Sequence, residues 1–358
     1  MKIAQIAPLM ESVPPLRYGG TERVVSYLTE ELVRQGHDVV LFGTGDSVTS
    51  ATLVPGAPKA LRLDASVRDP LPYMMLHLER VRQRADEFDV LHFHVDVLHF
   101  PIFRRLASHT LTTLHGRLDL PELLPFYREF SDMPVVSISD DQRRPLPHAR
   151  WIATIPHGLP RNLARFYAQP CGEYLAFLGR ISPEKGPDRA IAIAKRVGIK
   201  LKIAAKVDRA DEAYFKNEIE PLMDHPLIEW VGEITENEKP DFLGNALALL
   251  FPIDWPEPFG LVVIEAMACG TPTIAYRRGS VPEVIDDGKS GIIVDTEDAA
   301  IDAVRRLPRM TRAGVRACFE RRFTVERMAA DYVRLYQTLP ATSFNDQPKA
   351  IESLRRFA

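Results

Sequence analysis

Short hydrophobic runs alternate along the chain with longer segments in which apolar residues recur every three or four positions. The runs are typical of strands buried on both faces, and the wider spacing is typical of amphipathic helices. In the first half the alternation predicts strands at 2–7, 38–43, 89–93, 110–114 and 134–139, with helical segments between them. Such a series implies a parallel sheet with right-handed crossovers, whose ligands gather at the carboxyl ends of the strands.

The same alternation restarts after a polar segment, 161–172, whose Pro170 and Gly172 are typical of a hinge. Helices are predicted at 188–197, 298–307 and 324–339, and strands at 174–178, 200–205, 228–231, 246–251, 273–276 and 291–294. A chain of 358 residues also exceeds the roughly 250–300 residues over which one core usually grows. We therefore predict two α/β domains, at 1–165 and 170–338.

The segment D-W-P-E-P-F-G-L-V-V-I-E-A-M-A-C-G-T, residues 254–271, lies between two predicted strands of the second domain. Its prolines disfavour a helix before Phe259 or Gly260, and Gly270 followed by Pro272 is a helix stop. The predicted helix therefore begins at the end of a buried strand. Unpaired N–H groups and a partial positive charge at such a terminus favour a phosphate.

Two carboxylates flank this predicted anion site. Glu257 precedes the helix, and Glu265 lies on it eight positions later. Carboxylates do not attract phosphate, so we expect them to accept hydrogen bonds from the hydroxyl groups of a sugar and a ribose. The pattern favours a nucleotide-sugar site over the alternative, an ordinary strand-helix-strand core with two surface acids.

With this Glu-x7-Glu spacing, residues 256–272 resemble the retaining glycosyltransferases of family 4 (glycosyl transferases group 1). The loop 179–186, G-R-I-S-P-E-K-G, resembles the family's G-R-x4-K-G loop, whose arginine and lysine hold the donor diphosphate. Two solvated cations in a turn are the alternative for that loop. The resemblance implies the GT-B fold, in which two Rossmann-like domains face each other across a cleft. It assigns acceptor binding to the domain 1–165 and donor binding to the domain 170–338. It also implies a C-terminal helix over 339–358 that crosses back to the first domain.

The resemblance also implies roles for individual residues. The catalytic set is His115, Arg180, Lys185 and Glu257. The donor-binding set is Gly19, Gly20, Phe259, Gly260, Leu261 and Glu265, with Lys206, Gly232 and Glu233 as further candidates. On the residues alone, the loop Tyr18-Gly19-Gly20 is as well explained by a flexible helix start. Lys206 stands where relatives carry a glycine-rich turn, so it is either a surface charge or a third cation for the diphosphate. His157 stands where relatives usually have asparagine, and no role is carried to it.

His92, His94 and Asp96 could suggest a metal pair, but no further ligand cluster accompanies them in the sequence. We favour strand-end histidines hydrogen-bonded to backbone. We expect sugar transfer without a metal or other cofactor, because Arg180, Lys185 and the helix terminus supply the charge that a metal provides elsewhere. A hexose from a UDP-sugar, transferred with retention to a glycan, lipid or small molecule, is the expected reaction. The alternatives are another GT-B activity, such as an epimerase or phosphorylase-like reaction, and a non-catalytic nucleotide-sugar binding protein.

Composition and charge limit the kinds of partner and the location that we expect for the protein. The formal net charge of −3 argues against a general nucleic-acid binder. Three cysteines without ligand spacing indicate reduced thiols, and no segment resembles a signal peptide or a membrane span. An arginine-rich tract over 305–322 is either a solvated helix face or a contact for anionic lipid, and we favour the former. We therefore expect a cytoplasmic protein, at most peripheral to the inner membrane face.

Overall fold

The computed structural model describes residues 1–16 and 19–339. Tyr18 of the predicted glycine loop, and the predicted C-terminal helix beyond Leu339, lie outside these residues. All strands of the described chain fall into two parallel sheets. The strands are Lys2–Ile6 (β1), Asp38–Thr44 (β2), Thr52–Ala57 (β3), Val90–Phe93 (β4), Thr110–Thr113 (β5), Pro134–Ser137 (β6), Arg150–Thr154 (β7), Tyr174–Arg180 (β8), Lys200–Lys206 (β9), Ile228–Gly232 (β10), Ala248–Phe251 (β11), Thr273–Tyr276 (β12) and Gly291–Val294 (β13).

The first sheet has seven strands in the order β3-β2-β1-β4-β5-β6-β7, and the second has six in the order β10-β9-β8-β11-β12-β13. Both orders reverse direction next to the first strand of their own domain, at β1/β4 and at β8/β11, which is where doubly wound sheets form a ligand crevice. Every residue of β4, β5, β6, β11 and β12 is buried, as their continuous apolar and threonine-rich sequences require. The predicted class, α/β with two Rossmann-like domains, is confirmed.

Helices cover these sheets. They are Gly20–Arg34 (α1), Leu71–Gln83 (α2), Phe100–Phe103 (α3), Leu123–Glu129 (α4), Pro187–Val197 (α5), Glu212–Tyr214 (α6), Lys239–Gly244 (α7), Leu261–Cys269 (α8), Val281–Val284 (α9), Glu297–Arg306 (α10), Arg312–Arg322 (α11) and Val325–Thr338 (α12). Helix α8 lies within the largest apolar cluster of the second domain, and its residues from Val263 to Cys269 are all buried. Surface helices instead show one apolar face, as in α1 and α5.

The chain returns to the first domain earlier than our division of the sequence placed it. Helix α12, which we had assigned to the second domain, packs with Val325, Met328 and Tyr332 in the same cluster as Ile3 of β1 and Leu111 of β5. The apolar stripe of this helix is buried by the first sheet, so it belongs structurally to that sheet. Sequence periodicity showed that the stripe exists but not which sheet covers it.

Part of the predicted arginine tract is structural. The guanidinium group of Arg312 donates hydrogen bonds to the carbonyl oxygens of Tyr167, Gly244 and Ala246, and Arg316 donates to the carbonyl of Arg161. These two arginines tie the segment between the domains to α11. They are therefore not members of the solvated face that we predicted for the whole tract. Within residues 1–16 and 19–339, no helix combines the length and the apolar character needed to cross a bilayer.

Candidate active site

A cavity of about 560 Å³ lies between the two sheets, at the carboxyl ends of their strands. Its walls come from both domains. From the first domain come the loop before α1 and the segments that follow β4 and β5; from the second come the ends of β8 and β9 and the start of α8. All the predicted site residues except Gly232 line this cavity, namely Gly19, Gly20, His115, Arg180, Lys185, Lys206, Glu233, Glu257, Phe259, Gly260, Leu261 and Glu265. Gly232 ends the edge strand β10 outside the wall.

The loop between β11 and α8 is held in place from both domains. Ser280 donates from its backbone N–H to the carbonyl of Glu257 (2.9 Å) and from its hydroxyl to the carbonyl of Phe259 (3.0 Å). Ser139 of the first domain donates to the carbonyl of Pro258 (2.7 Å). Gly260 then adopts φ +84°, a left-handed conformation that suits glycine, and α8 begins at the next residue. The helix N-terminus therefore opens into the cavity, as predicted.

The two predicted diphosphate cations each have an acidic partner in this structure. Arg180, the last residue of β8, lies 2.5 Å from Glu184 and 3.3 Å from Asp211. The ammonium group of Lys185 lies 2.5 Å from the carboxylate of Glu257 and 4.7 Å from the centre of the Trp255 ring. An anion that binds here would therefore have to displace these carboxylates from Arg180 and Lys185, because each cation already has an acidic partner.

Lys206 is the neighbour of Arg180 on the adjacent strand. Its ammonium group forms an ion pair with Asp208 at 2.7 Å, and it lines the cavity. The structure therefore places it on the wall of the site, which favours a cleft position over a remote surface charge, while its role toward a diphosphate stays a prediction.

Glu265 ends a series of charged side chains that the sequence analysis did not predict. Its carboxylate accepts a hydrogen bond from Lys239 at 2.9 Å, Lys239 lies 2.9 Å from Glu236, and Glu236 lies 3.0 Å from Arg23 of α1. Burial disfavours the charge on Lys239, but Glu265 and Glu236 more than offset this and raise its pKa. The network joins the two domains beside the carboxylate that we expect to bind the ribose.

His115 lies on the wall formed by the first domain, two residues after the end of β5. Its ring stacks on that of His157 with centroids 5.2 Å apart, and His157 packs edge-on against Phe259 of the second domain at 4.8 Å. Burial lowers the pKa of His115 to about 3, so the ring is neutral at physiological pH. The contact with His157 could not be found from the sequence, because relatives usually carry another residue there.

The other strand-end histidines bond to side chains, not to backbone as we expected. His92 contacts Thr113 and Tyr336, and His94 contacts Gln5 and His115. Over the part of the chain that the structure describes, no group of three or more His, Cys, Asp or Glu residues is arranged to hold a metal ion.

The structure shows a cleft between two Rossmann-like domains, and two family models match the chain. Residues 18–168 match the Glycosyltransferase Family 4 model, and residues 169–312 match the Glycosyl transferases group 1 model. The chain belongs to this family of GT-B glycosyltransferases, and the protein is a glycosyltransferase.

Relatives with assigned activities share this family. The chain is 27% identical to a phosphatidyl-myo-inositol mannosyltransferase of Mycobacterium leprae, over 96% of this chain and 98% of that protein. It is 33% identical to a D-inositol 3-phosphate glycosyltransferase of Saccharomonospora viridis, but that match covers only 52% of this chain and 44% of the relative.

Solved structures share the fold at low sequence identity. Sucrose-phosphate synthase from Thermosynechococcus elongatus superimposes with a TM-score of 0.76 at 20% identity, covering 94% of this chain and 98% of that one. The Anabaena protein HepE, solved with UDP and glucose, gives 0.71 at 17% identity, with 95% and 100% covered. At these identities the likeness shows the fold alone.

Proposed function

We propose that the protein transfers a hexose from a nucleoside diphosphate sugar, with UDP as the nucleotide, to a hydroxyl group of a glycan, lipid or small molecule, with retention of configuration and without a metal ion. One observation carries the proposal. Two cations, a helix N-terminus and two buried carboxylates from different parts of the sequence meet in one interdomain cavity.

The leaving diphosphate is the part of the donor that needs positive charge. Arg180 and Lys185 lie on the cavity wall with the first N–H groups of α8, whose end at Gly260 and Leu261 is open. A guanidinium group can bind phosphate through two parallel hydrogen bonds, and an ammonium group acts as a point charge. Positive charge fixed before the reaction stabilises the departing diphosphate, as a metal ion does in other transferases.

We expect the two carboxylates to contact different parts of the rest of the donor. Glu257 is 8% exposed and lies beside Lys185, so a hexose attached to the diphosphate would reach it. Glu265 is 7% exposed and lies on α8, one turn beyond Leu261, on the side that faces the cavity. We assign Glu257 to the sugar hydroxyls and Glu265 to the ribose diol. Glu233, near the end of β10, is then close to the base.

His115 faces this donor site from the first domain. Its neutral ring can exchange a hydrogen bond with a hydroxyl of the transferred sugar, and Gly20 is close enough to α8 that an added Cβ would lie 3.3 Å from Leu261. The two domains therefore enclose the reacting sugar, which limits the access of water and hence hydrolysis of the donor.

The relatives support the choice of substrates. HepE was solved with UDP and glucose, and the two curated relatives are named for transfer to inositol-containing acceptors. The free cysteines, Cys171, Cys269 and Cys318, fit a reducing cytoplasm, and we place the protein there with at most peripheral membrane contact. Cell fractionation tests that location, and recovery outside the cytoplasm and its membrane face would contradict it.

The function is tested by incubating the protein with UDP-, GDP- and ADP-sugars and a cell-extract acceptor pool, with and without EDTA. We expect a glycosylated product from a UDP-sugar, the α linkage by NMR, and no effect of EDTA. Arg180→Ala should abolish product, whereas Arg196→Ala, an arginine paired with Glu297 on the surface of the same domain, should not.

Several outcomes would contradict the proposal. An epimerised donor or a sugar phosphate as the only product would indicate another GT-B reaction. Donor binding without turnover would indicate a binding protein. Loss of activity in EDTA that magnesium or manganese restores would refute the role given to the protein cations.

A further inference from the structure

A continuous series of hydrogen bonds runs from His115 into the core of the first domain. The Nε2 atom of His115 lies 2.9 Å from Nδ1 of His94, and Nε2 of His94 lies 2.8 Å from Oε1 of Gln5. His94 is 2% exposed and Gln5 is fully buried. The orientation of the cleft histidine is therefore set by two side chains that do not reach the donor-binding charges.

The other end of this series is anchored on α12. The amide nitrogen of Gln5 lies 3.3 Å from the hydroxyl of Tyr336, and that hydroxyl lies 2.7 Å from Nδ1 of His92. Nε2 of His92 in turn lies 2.8 Å from the hydroxyl of Thr113, on the strand that leads to His115. Side chains from β1, β4, β5 and α12 thus form one buried polar network. Such networks are rigid when their members are satisfied.

We propose that Gln5 and His94 are positioning residues of the transfer reaction, which hold His115 in the tautomer whose Nδ1 accepts a hydrogen bond from a hydroxyl of the bound sugar. The inference rests on the proposed function, because it assigns His115 to the transferred sugar. It goes beyond that function in naming the residues that act through His115 and the protonation state that they impose.

The tautomer follows from the order of donors and acceptors. Oε1 of Gln5 can only accept, so Nε2–H of His94 donates to it. A neutral imidazole carries one hydrogen, so Nδ1 of His94 accepts, and Nε2–H of His115 donates to it. His115 then keeps a lone pair on Nδ1. That atom is buried and has no hydrogen-bond partner among the described residues.

The surroundings of His115 support this neutral state. Burial lowers its pKa to about 3 and holds the pKa of His94 and of His157 well below 6.5. His94 and His157 are the titratable groups in ring contact with it, His92 lies behind His94, and Arg327 faces His157. Each added positive charge would disfavour protonation further. The wild-type turnover is therefore expected to show no titration of His115 between pH 5 and 8.

The test measures kcat and KM from pH 5 to 8 for His94→Phe, with a UDP-sugar as donor and, as acceptor, the compound that the cell-extract pool yields in the transfer assay. We expect kcat to fall about tenfold to a hundredfold at pH 8 with donor KM little changed, because a displaced reacting group costs rate more than binding. Activity should fall further below about pH 6.5, where a released imidazole titrates. His94→Asn, whose Oδ1 can accept from His115, should recover much of the lost kcat and the flat profile.

Two further variants keep the test independent of folding. Tyr336→Phe removes only the hydroxyl that anchors Gln5, and should lower kcat about two- to tenfold. His99→Phe is the matched control, since His99 is also fully buried and donates or accepts one 2.8 Å hydrogen bond, to Thr112, but does not line the cavity. It should lower the melting temperature and leave the kcat-pH profile unchanged.

The outcomes separate the inference from the proposed function. If His94→Phe keeps the wild-type kcat and a flat pH profile while His115→Ala is impaired, the positioning role is overturned and the proposed role of His115 stands. A pH profile altered equally by His99→Phe would show a general packing effect and would also overturn it. Normal turnover in His115→Ala would refute the role of His115 in the proposed function itself.

Discussion

Replacing Glu257 by glutamine should tighten the binding of free UDP, whereas replacing Glu265 by glutamine should weaken it. The opposite signs follow from the ion pairs of the cleft. Lys185 must leave the carboxylate of Glu257 to bind a phosphate, so Glu257 competes with the ligand for that cation. Glu265 should instead contact the ligand directly through the ribose, and the amide of glutamine accepts more weakly than a carboxylate.

The magnitudes can be worked from the burial of the pairs. The side chains of Lys185 and Glu257 are 19% and 10% exposed and their charged atoms lie 2.5 Å apart. Exposed ion pairs contribute about 0–1 kcal/mol, and removing one partner of a buried pair costs about 3–5 kcal/mol because the other charge is left unpaired. For this part-buried pair we take an intermediate cost of about 1–2 kcal/mol for separating Lys185 from Glu257. Removing the competitor should therefore tighten UDP about five- to thirtyfold. In Glu265→Gln, the loss of charged hydrogen bonds to the ribose should weaken the binding of UDP by a similar amount, about 1–2 kcal/mol. Part of this loss is offset, because the ribose no longer competes with Lys239 for a carboxylate at this position.

Isothermal titration calorimetry with UDP and with the intact UDP-sugar checks both signs. In Glu257→Gln the gain with UDP should be absent or reversed with the intact donor, since the sugar loses its carboxylate partner. Glu297→Gln, which removes a surface partner of Arg196, serves as the control and should change neither affinity. Equal weakening of UDP binding in both cleft variants would refute the proposed division of the donor.

Three further predictions concern the same cleft and its support. Lys185→Ala should lower kcat about thirtyfold to a thousandfold with little change in melting temperature, because it removes about 2–4 kcal/mol of leaving-group stabilisation; steady-state kinetics beside thermal unfolding checks this. Gly260→Ala should cost about 1–2 kcal/mol of unfolding free energy, since its φ of +84° is left-handed and the new Cβ would lie 3.3 Å from Phe251; denaturant unfolding measures it, and an unchanged midpoint would contradict the reasoning. The free energy of unfolding should also fall as the pH drops below about 6.5, because the histidines of the unfolded chain then bind protons that the folded chain excludes. The loss is up to about 1.4 kcal/mol per pH unit for each buried histidine with a lowered pKa. A urea midpoint that does not fall between pH 7 and 5.5 would refute this for His77, His92, His94, His99 and His157.

The fold could be predicted because its signals are local. The strands β12 and β13 have the bounds that their apolar runs predicted, and α8 begins after Gly260 as the prolines and the glycine required. Two strands were missed, β3 and β7, and both lie at the edges of the first sheet. Strand β3 contains Pro55, which cannot donate to a ladder and is tolerated at an edge, so its sequence lacks a strand pattern.

The candidate site could be predicted only where the sequence places chemistry at the end of a buried element. Arg180 and Glu257 lie at or next to such an end and follow from that rule and from the resemblance. Glu265, within α8, follows from the Glu-x7-Glu resemblance, and the structure brings all three to one cavity. Lys239 could not be found in this way, because it lies at the start of a short polar helix and gains its position from contacts with Glu265 and Glu236. Pairing between residues of distant segments leaves no periodicity in the sequence.

The resting ion pairs of the cleft give a physical reason why an intact donor should be preferred over its product. When a diphosphate takes Lys185, Glu257 is left as a buried carboxylate whose remaining described partner is the indole N–H of Trp255, at 3.0 Å. An unpaired buried charge is unfavourable, and hydroxyl groups of a bound sugar relieve that cost whereas free UDP does not. On the proposed function, transfer of the sugar therefore removes the group that compensated Glu257. The return of Lys185 to Glu257 then assists release of the diphosphate.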